Sequence, residues 1–591
     1  MYQNGKDSMP EQTIQRIRDI LHDIGLFYHE EDWTVHIKNC HAVRLKIEGF
    51  NGKGVNGKGI SRLYALASAY GELMERLQCG MMFKRNYGLM RDIVLSYPEE
   101  KNENILDMVE KSNEFFTKMF KINMEEIEKV FKNEKLNCLS YYHVNTNTVV
   151  NLPEPLIKMT AGSNGMCAGN TDSEAIVQGL SEIVERYVAS QISNEKVIFP
   201  NIPLEEVNSS VIREMIEDMI CKGYRLIIKD CTLGGIYPCV GVIILDSRLM
   251  KYTISLGAHP VFDIALQRCI TEAFQASQVN HKMYPFHILF EDDNNKRFTV
   301  DQAIIGAYIG NINLLEEREQ SKVYKKAFQE NVNSNEDLLD FMCKKIIDQK
   351  FDIYIRDCSY FGFPAFRIYV NGMSEIYQYS ADELHGIYED NHLIKRYLLN
   401  IKQCSQEDLK ELAICLEKMV QKNLFSGVDL YNICDVIFES GTDIQFLLEN
   451  PNFFISIIYT RLANYEKAYE YLKKYIDKNS YKISNIQYFI CVMHYFKLNI
   501  SGQMDKSAVE EILTSIYGSL AKEVIKDILD SKNIFKNYDL PNCSDCSLCS
   551  YSDKCAYSLW LQYTKNLQQK VDIYPSKQEK LCKLFQAANY I

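Results

Sequence analysis

The chain has 591 residues, too many for one hydrophobic core, so two or more domains are expected. Its 46% hydrophobic and 24% charged residues are typical of a soluble globular protein, and its net charge of −12 disfavours a general nucleic-acid-binding protein. Since no apolar run of about 18 residues and no signal-peptide core is found, we expect a cytoplasmic protein without a membrane span. The 19 cysteines are then interpreted as thiols or metal ligands.

A glycine-rich segment precedes the first strong helical pattern. Gly52, Gly57 and Lys58 have the spacing of a phosphate-binding P-loop, but Gly59 occupies the position where a P-loop has Ser or Thr. These glycines would let the backbone approach either a ligand or the start of a helix, and a simple loop role is equally compatible. Any magnesium ligands must therefore come from elsewhere in the chain.

Two predicted helices, at 60–82 and 172–193, carry polar side chains at steps of four and three residues, which places those side chains on one stripe. The stripes are Ser68, Glu72 and Glu75 on the first helix, and Glu174, Gln178, Glu182 and Glu185 on the second. Carboxylates in a column repel one another, and half burial raises the cost, so a cation is expected among them. Oxygen ligands without His or Cys suit Mg²⁺, which usually bridges to phosphate oxygens.

A third helical stretch repeats the spacing with Arg268, Glu272 and Gln275. Arg268 and Arg186 are candidates for donating forked hydrogen bonds to phosphates. Structural roles are the alternative, for example a capping box between Thr171 and Glu174. The Glu-x-x-Glu-Arg signature, shared by the first two helices, favours a magnesium–nucleotide site.

Two hairpin-like segments resemble each other, at 227–244 and 353–370. Each predicts strand, turn and strand, with Asp-Cys-Thr or Asp-Cys-Ser opening the turn. Together with the paired helices they favour a duplicated α+β unit, with chance similarity of the hairpins as the alternative. His259, just before Arg268, is expected to stabilise its loop, with ligand contact as the alternative.

The remainder of the chain becomes helix-rich after about residue 400. We place a first domain at 1–395 and a helical domain at 396–591. The Ala, Tyr and Leu spacing within 453–495 suits the second helix of a tetratricopeptide-like pair.

A cysteine cluster lies near the carboxyl end, at Cys543, Cys546, Cys549 and Cys555. Four thiolates this close in a cytoplasmic protein usually bind metal, and both zinc and an iron–sulfur cluster are chemically allowed. The tight triplet slightly favours an iron–sulfur cluster. Free thiols in a loop are the alternative.

Several long segments resemble the YcaO family, over residues 5–7, 56–76, 163–188 and 256–275. The resemblance extends over the full length of the family's stand-alone bacterial members. It implies an α+β YcaO-type fold, with pseudo-repeated sheet-and-helix units around an ATP site, followed by an all-α tetratricopeptide-like domain. It also implies ATP-dependent activation of a backbone amide, by phosphoryl transfer to the carbonyl oxygen, leading to an azoline or a thioamide.

The resemblance also implies which residues bind the nucleotide and its metal. The implied ATP-binding residues are Lys6, Thr13, Ser68, Cys167, Asn170, Gln178, Arg186 and Arg268. The implied magnesium ligands are Glu72, Glu75, Glu174, Glu182 and Glu185. Cys167 departs from the family pattern, which has Ser there, and a thiol is a weaker hydrogen-bond donor than a hydroxyl.

For function, the resemblance implies an accessory factor for RimO, a radical enzyme that methylthiolates a small-subunit ribosomal protein. The alternatives are an amide-activating enzyme of peptide maturation, by thioamidation or cyclodehydration, and a non-catalytic adaptor. The closing residues QAANYI lack the Pro-x-Pro-x-Pro tail of azoline-forming members, which disfavours a cyclodehydratase. Expected partners are a RimO-like methylthiotransferase, a ribosomal protein or peptide substrate, and a second copy of the chain, with no direct contact with nucleic acid.

Overall fold

The computed structural model describes part of the chain. The described residues are 5–49, 54–82, 95–104, 107–108, 113–120, 125–126, 135–194, 199–246, 251–275, 287–288, 323–330, 332, 334–376, 379, 393–394, 396–397, 401, 403–421, 450–479, 485–500, 502, 504–529, 546–548, 552–574 and 578–586.

Helices and strands alternate in the first two thirds of the chain, and the described residues beyond them form helices without strands. The strands are β1 (Tyr28–Ile37), β2 (Cys40–Ile47), β3 (Gly54–Gly59), β4 (Lys101–Asn104), β5 (Lys135–His143), β6 (Thr148–Pro153), β7 (Met166–Ala168), β8 (Asn201–Ile202), β9 (Tyr224–Asp230), β10 (Cys239–Asp246), β11 (Lys251–Ala258), β12 (His287–Ile288), β13 (Asp352–Asp357) and β14 (Ala365–Asn371). The helices are α1 (Pro10–Ile24), α2 (Arg62–Gln78), α3 (Asn113–Phe120), α4 (Glu154–Ala161), α5 (Asp172–Asn194), α6 (Ser210–Cys221), α7 (Phe262–Gln275), α8 (Asn335–Asp348), α9 (Gln406–Gln421), α10 (Pro451–Arg461), α11 (Tyr465–Asn479), α12 (Ile486–Ile500), α13 (Lys506–Tyr517), α14 (Ser519–Leu529), α15 (Tyr557–Ile573) and α16 (Gln578–Gln586).

The strands form three sheets whose neighbouring strands pair antiparallel. The orders are β1-β2-β3, then β12-β11-β10-β9-β8, then β4-β5-β13-β14-β7 with β6 beside β5. Antiparallel sheets with helices packed on them define an α+β protein. The predicted α+β class is therefore confirmed.

The two similar segments form corresponding hairpins in separate sheets. β9 pairs with β10, and β13 pairs with β14. The turn begins alike in both, because Asp230 Oδ1 accepts a hydrogen bond from Thr232 N and Asp357 Oδ1 accepts one from Ser359 N, each at 2.9 Å. A short polar side chain that bonds the backbone two residues on is a common turn former. The predicted strand–turn–strand order is confirmed in both places.

Three strands lead directly into three long helices: β3 into α2, β7 into α5 and β11 into α7. Two of these strands carry a glycine where they touch the helix. A Cβ at Gly57 would lie 2.0 Å from the carbonyl oxygen of Ala65, and one at Gly257 would lie 2.4 Å from that of Ala265. Gly57 and Gly59 therefore serve the approach of strand to helix, and residues 54–59 are a strand instead of a phosphate-binding loop.

The second strand–helix pair, β7 and α5, also packs closely, but here the larger residue is on the strand and the glycine is on the helix. Here the strand carries Cys167 and the helix carries Gly179, where a Cβ would lie 2.8 Å from the Cys167 sulfur. Cys167 stands on its strand where Gly57 and Gly257 stand on theirs. The three pairs are thus one repeated unit with one substitution at the contact.

A separate hydrophobic core lies within the helix-rich part of the chain. It joins α9 to α14 and includes residues from Ile394 to Ile528. Helices α10 and α11 form a packed pair in it. The helical carboxyl-terminal region is confirmed, whereas its tetratricopeptide-like character stays a prediction.

The last two helices return to the sheet-containing part. In α15, Tyr563 and Leu567 join the core that also holds α1 and α2. In α16, Leu581 and Phe585 join the core around α5 and β13. The domain boundary near residue 396 stays a prediction, and side-chain packing places these two helices with the first unit. Of the helices described, none combines the length and the apolar character needed to cross a membrane.

Candidate functional site

A cavity of about 450 Å³ lies between α2, α5, α7 and the amino-terminal segment. This volume is in the range of pockets for small molecules. Most of the site residues predicted from the sequence line it, namely Lys6, Thr13, Ser68, Glu72, Glu75, Asn170, Glu174, Gln178, Glu182, Glu185, Arg186 and Arg268. The structure brings them together, and nucleotide binding by each of them stays a prediction.

Cys167 is the predicted residue that the structure places elsewhere. It is fully buried, its sulfur lies 3.6 Å from the carbonyl oxygen of Phe366, and it does not line the cavity. Burial raises the pKa of its thiol well above the ordinary value. The reason is its position at the close contact between β7 and α5, where its side chain faces Gly179. Ser163 and Asn164, from the same segment, line the cavity.

Helix α2 presents two carboxylates and one guanidinium to the cavity. The helix starts at Ser61, whose Oγ accepts a hydrogen bond from Tyr64 N at 3.3 Å. Arg76 then contacts both acids, at 3.1 Å from Glu75 and 3.4 Å from Glu72. Burial raises the pKa of Glu75 well above its usual value, and the nearby Glu182 and Glu72 raise it further against the opposing effect of Arg76.

Helix α5 repeats this arrangement from the opposite wall. Glu182 lies 3.9 Å from Arg186, one helical turn along, and Glu185 is buried. The acids of both stripes line the same cavity, and the charge of Glu182 on α5 helps to raise the pKa of Glu75 on α2. The convergence expected for two acidic helices is therefore present in the folded chain.

Glu174, at the start of α5, ties the amino-terminal segment to this helix. Its carboxylate accepts hydrogen bonds from Asp7 N at 2.8 Å and from Asn170 Nδ2 at 3.1 Å, and it lies 3.3 Å from Lys6 Nζ. The backbone of Glu174 donates to Thr171 Oγ1 at 3.2 Å, so Thr171 caps the helix as the structural alternative expected. Glu174 therefore takes part in the capped start of α5 and also lines the cavity.

The amino-terminal segment closes one side of the cavity. Thr13 Oγ1 donates to Asn170 Oδ1 at 2.7 Å, and Asn335 Nδ2 donates to the carbonyl oxygen of Gly5 at 3.0 Å. His259 lies beneath it, where its Nδ1 accepts from Val261 N at 3.0 Å. His259 thus stabilises its own loop, as expected, and also lines the cavity.

Helix α7 contributes a different set of charges. Arg268 donates a hydrogen bond to Gln178 Oε1 at 2.6 Å. Glu272 forms an ion pair with Lys58 of β3, and both side chains line the cavity. Burial lowers the pKa of Lys58 to about 8, with Arg268 and Arg186 adding to the effect and Glu185 opposing it. In the sequence, Lys58 is distinguished by its P-loop spacing alone, because no local pattern links residue 58 to residue 272.

The donor set fits Mg²⁺ bound together with a polyphosphate. Among the described residues, no three His, Cys, Asp or Glu side chains converge closely enough to form a metal site by themselves. Mg²⁺ usually takes one or two carboxylates and completes its shell with waters and substrate phosphates. The cavity offers carboxylates for such an ion and, from Lys6, Arg186 and Arg268, positive charge for the phosphates.

Half of the predicted cysteine cluster falls outside the described residues. Cys543 and Cys549 lie outside them, Cys546 begins a short 3₁₀ turn at Cys546–Leu548, and Cys555 is partly exposed just before α15. Metal binding by these cysteines stays a prediction.

Comparison with known proteins gives one family match and several relatives. A family profile described as YcaO cyclodehydratase, ATP- and Mg²⁺-binding, matches residues 56–374. An uncharacterized protein of Haemophilus influenzae is 26% identical over 561 residues, which cover 91% of this chain and 93% of that protein. The ribosomal protein S12 methylthiotransferase accessory factor YcaO of Escherichia coli is 29% identical over 393 residues, which cover 63% of this chain and 66% of that protein.

Two solved structures are also similar in part. YcaO from Methanopyrus kandleri, bound with AMPPCP and Mg²⁺, has 16% identity and a TM-score of 0.42, covering 62% of this chain and 92% of that one. A heterocyclase in complex with substrate and cofactor has 15% identity and a TM-score of 0.46, covering 63% of this chain and 53% of that one.

Proposed function

The chain belongs to the YcaO family, and from this premise we propose that it binds Mg²⁺-ATP in the cavity and activates an amide of a protein or peptide by phosphoryl transfer. One observation carries the proposal. Acidic stripes from α2 and α5 meet basic side chains from the amino-terminal segment, α5 and α7 on a single cavity. Such a mixture of charges suits a divalent cation bound to a triphosphate better than it suits either ion alone.

The roles divide by chemistry. The carboxylates that would hold Mg²⁺ are Glu72, Glu75, Glu174, Glu182 and Glu185. The side chains that would hold the nucleotide are Lys6, Thr13, Ser68, Asn170, Gln178, Arg186 and Arg268. Bound Mg²⁺-ATP would supply a phosphoryl group that turns an amide oxygen into a better leaving group. The residues of the chain would position the reactants and offset charge, without attacking the substrate themselves.

The name of the Escherichia coli relative supports a more specific proposal. That protein is called an accessory factor of ribosomal protein S12 methylthiotransferase. We therefore propose that this chain assists a RimO-like radical methylthiotransferase acting on a small-subunit ribosomal protein. The helical region from α9 to α14 would offer a surface to such a partner, separate from the cavity.

Two alternatives keep the same nucleotide site. In one, the activated amide belongs to a peptide and becomes a thioamide or an azoline. In the other, the protein is an adaptor in which ATP sets a conformation and no phosphoryl transfer occurs. A reconstituted methylthiotransferase assay separates the adaptor from an accessory factor that consumes ATP: we expect stimulation with ATP and none with a non-hydrolysable analogue, whereas stimulation by both would favour the adaptor.

Nucleotide binding itself is tested by calorimetry of the full chain with Mg²⁺-ATP. We expect uptake by the parent protein and strongly reduced uptake by the double variant Glu75→Gln/Glu185→Gln. Glu470→Gln is the matched control, because Glu470 pairs with Lys474 on the surface of α11 and does not line the cavity. Absence of any uptake by the parent would contradict the proposal.

We propose separately that the cysteine cluster binds a metal with a structural role. The segment with Cys543, Cys546, Cys549 and Cys555 connects α14 to α15, where the chain returns from the helical core to the first unit. A bound zinc ion or iron–sulfur cluster would stabilise this connection. Elemental analysis of the purified protein is the test, and a preparation with neither iron nor zinc would contradict the proposal.

A further inference from the structure

Helices α2, α5 and α7, which all line the cavity, differ in how their central glutamate is neutralised. On α2, Glu72 pairs with Arg76 one turn along, and on α5, Glu182 pairs with Arg186 in the same way. On α7, the corresponding glutamate is Glu272, and the residue one turn along in the sequence is Ala276. Its cation comes instead from Lys58, on a strand far away in the chain.

Lys58 lies where positive charges converge. Its side chain lines the same cavity as Arg186 and Arg268, and the carboxylates of Glu72 and Glu185 line that cavity too. Like charges gathered in a largely buried place repel each other unless an anion joins them. Lys58 and Arg186 already have carboxylate partners in Glu272 and Glu182, so an anionic ligand would reach these cations by competing with those carboxylates.

The neighbours of Lys58 indicate which part of a nucleotide it would meet. Glu72 and Glu185 are among the carboxylates proposed to hold the metal, and both line the cavity together with Lys58. In phosphoryl-transfer sites the metal bridges oxygens of the β- and γ-phosphates. A lysine in the same cavity as those carboxylates would lie near the terminal phosphate when the metal and nucleotide are bound.

We propose that Lys58 is a specificity-determining residue for triphosphates, and that Glu272 holds it in place until a terminal phosphate replaces the carboxylate. The inference rests on the proposed function, since it assigns two further residues to the same site. It gives Glu272 a role opposite to that of the glutamates on α2 and α5. Glu272 competes with the ligand, whereas the others bind the metal that accompanies it.

The test compares Glu272→Gln with the double variant Lys58→Met/Glu272→Gln. These two proteins differ at Lys58 alone, and neither leaves a buried carboxylate without its lysine. Calorimetry measures the affinity of each for a non-hydrolysable ATP analogue and for ADP, both with Mg²⁺. We expect Glu272→Gln to bind the triphosphate at least as tightly as the parent protein. The double variant should bind the triphosphate about 10- to 100-fold more weakly than Glu272→Gln, and ADP within about threefold.

The control is Lys467→Met, which breaks a partly buried ion pair with Glu417 in the helical region. It should leave both affinities at the values of the parent. Equal weakening for the triphosphate and ADP in the double variant, or a triphosphate affinity equal to that of Glu272→Gln, would overturn the inference. So would a Glu272→Gln variant that loses triphosphate affinity, because that result assigns the pair a purely structural role. Failure of the parent to bind either nucleotide would instead overturn the proposed function itself.

Discussion

Helices α2 and α5 resemble each other more closely than either resembles α7, although all three follow the same strand-to-helix path. On the first two, a local Glu–Arg pair accompanies a further buried acid, Glu75 or Glu185. On α7 the corresponding positions are Glu272, whose lysine comes from β3, and Gln275, an uncharged amide. The three strand–helix units thus share one backbone arrangement, but the residues on the polar stripe of α7 give it a different charge from α2 and α5.

The difference makes the helical walls of the cavity unequal in charge, because α2 and α5 carry most of the acids and α7 carries one acid and one arginine. Two walls carry acids that a metal ion would offset, and the third contributes Arg268, which is hydrogen-bonded to Gln178 of α5. A metal–polyphosphate complex is itself polar, with a cation beside several anionic oxygens. The asymmetry among the helices would therefore orient such a complex, which three identical helices would not do.

The largest expected effect tests whether α2 and α5 really differ from α7. Glu75→Gln and Glu185→Gln should each reduce ATP turnover by about a hundredfold or more, because each removes charge that stabilises phosphoryl transfer. Glu272→Gln should have a far smaller effect. Phosphate release with the partner enzyme present is the measurement, and Glu470→Gln is the control. If Glu75→Gln and Glu185→Gln turned over ATP at the parent rate, the metal-binding assignment would be wrong.

A second prediction concerns the contact that the three units share. Gly57→Ala and Gly257→Ala should destabilise the protein by about 3 kcal/mol or more, because each new Cβ would meet a backbone carbonyl that belongs to a helix. Gly179→Ala should cost about 1–2 kcal/mol, since its Cβ would meet the side chains of Cys167 and Ile368, which adjust more easily.

Urea unfolding of the full chain measures these differences. Adding Cys167→Ala to Gly179→Ala should restore part of the lost stability, because the smaller side chain makes room for the new Cβ. Gly71→Ala is the control: a Cβ there would have nothing within 4 Å, and alanine favours a helix over glycine by about 1 kcal/mol. If Gly57→Ala, Gly257→Ala and Gly179→Ala lowered the free energy of unfolding by the same amount, the location of the glycine, on the strand or on the helix, would have no effect on the cost of the added Cβ.

The smallest expected effect is a dependence of protein stability on pH through Glu75 of α2, in the absence of nucleotide and metal. The pKa of Glu75 is raised in the folded protein above its ordinary value of 4.5 by burial. The stability contributed by its protonated form is therefore complete below about pH 4.5 and is lost as the pH rises through the folded pKa. Glu75→Gln does not titrate, so it should gain stability relative to the parent as the pH increases.

Thermal unfolding of parent and variant between pH 4.5 and pH 8 provides the measurement. The difference should grow with pH and become smaller when Mg²⁺-ATP is present, since a bound cation favours the carboxylate. Glu470→Gln should show no such trend. A difference that shrinks with rising pH would mean that the carboxylate of Glu75 is stabilised by its surroundings.

The predictable part of the molecule was local. The helix expected at 60–82 is observed at Arg62–Gln78, and that expected at 172–193 is observed at Asp172–Asn194. Steps of three and four residues put side chains on one face wherever a helix forms, so the acidic stripes followed from spacing alone. The two hairpins were similarly predictable, because their turns depend on an aspartate and the residues next to it.

Contacts between distant parts of the chain were not predictable in this way. Lys58 and Glu272 form an ion pair, but they are too far apart in the sequence for helical or strand periodicity to link them. The burial of Cys167 depends on Gly179 of the following helix. The return of α15 and α16 to the first unit likewise depends on which apolar surface each helix meets.

The amino-acid sequence by itself determined the type of each main element, the composition of its polar stripe and the resemblance to one family. Periodicity and turn chemistry act over a few residues, so they need no knowledge of the fold. The tertiary structure decided which stripes face one another, which cation neutralises Glu272 and which predicted side chain is withdrawn from the cavity. Those outcomes depend on electrostatic and packing interactions that exist only after strands and helices remote in sequence have come within a few ångströms of each other.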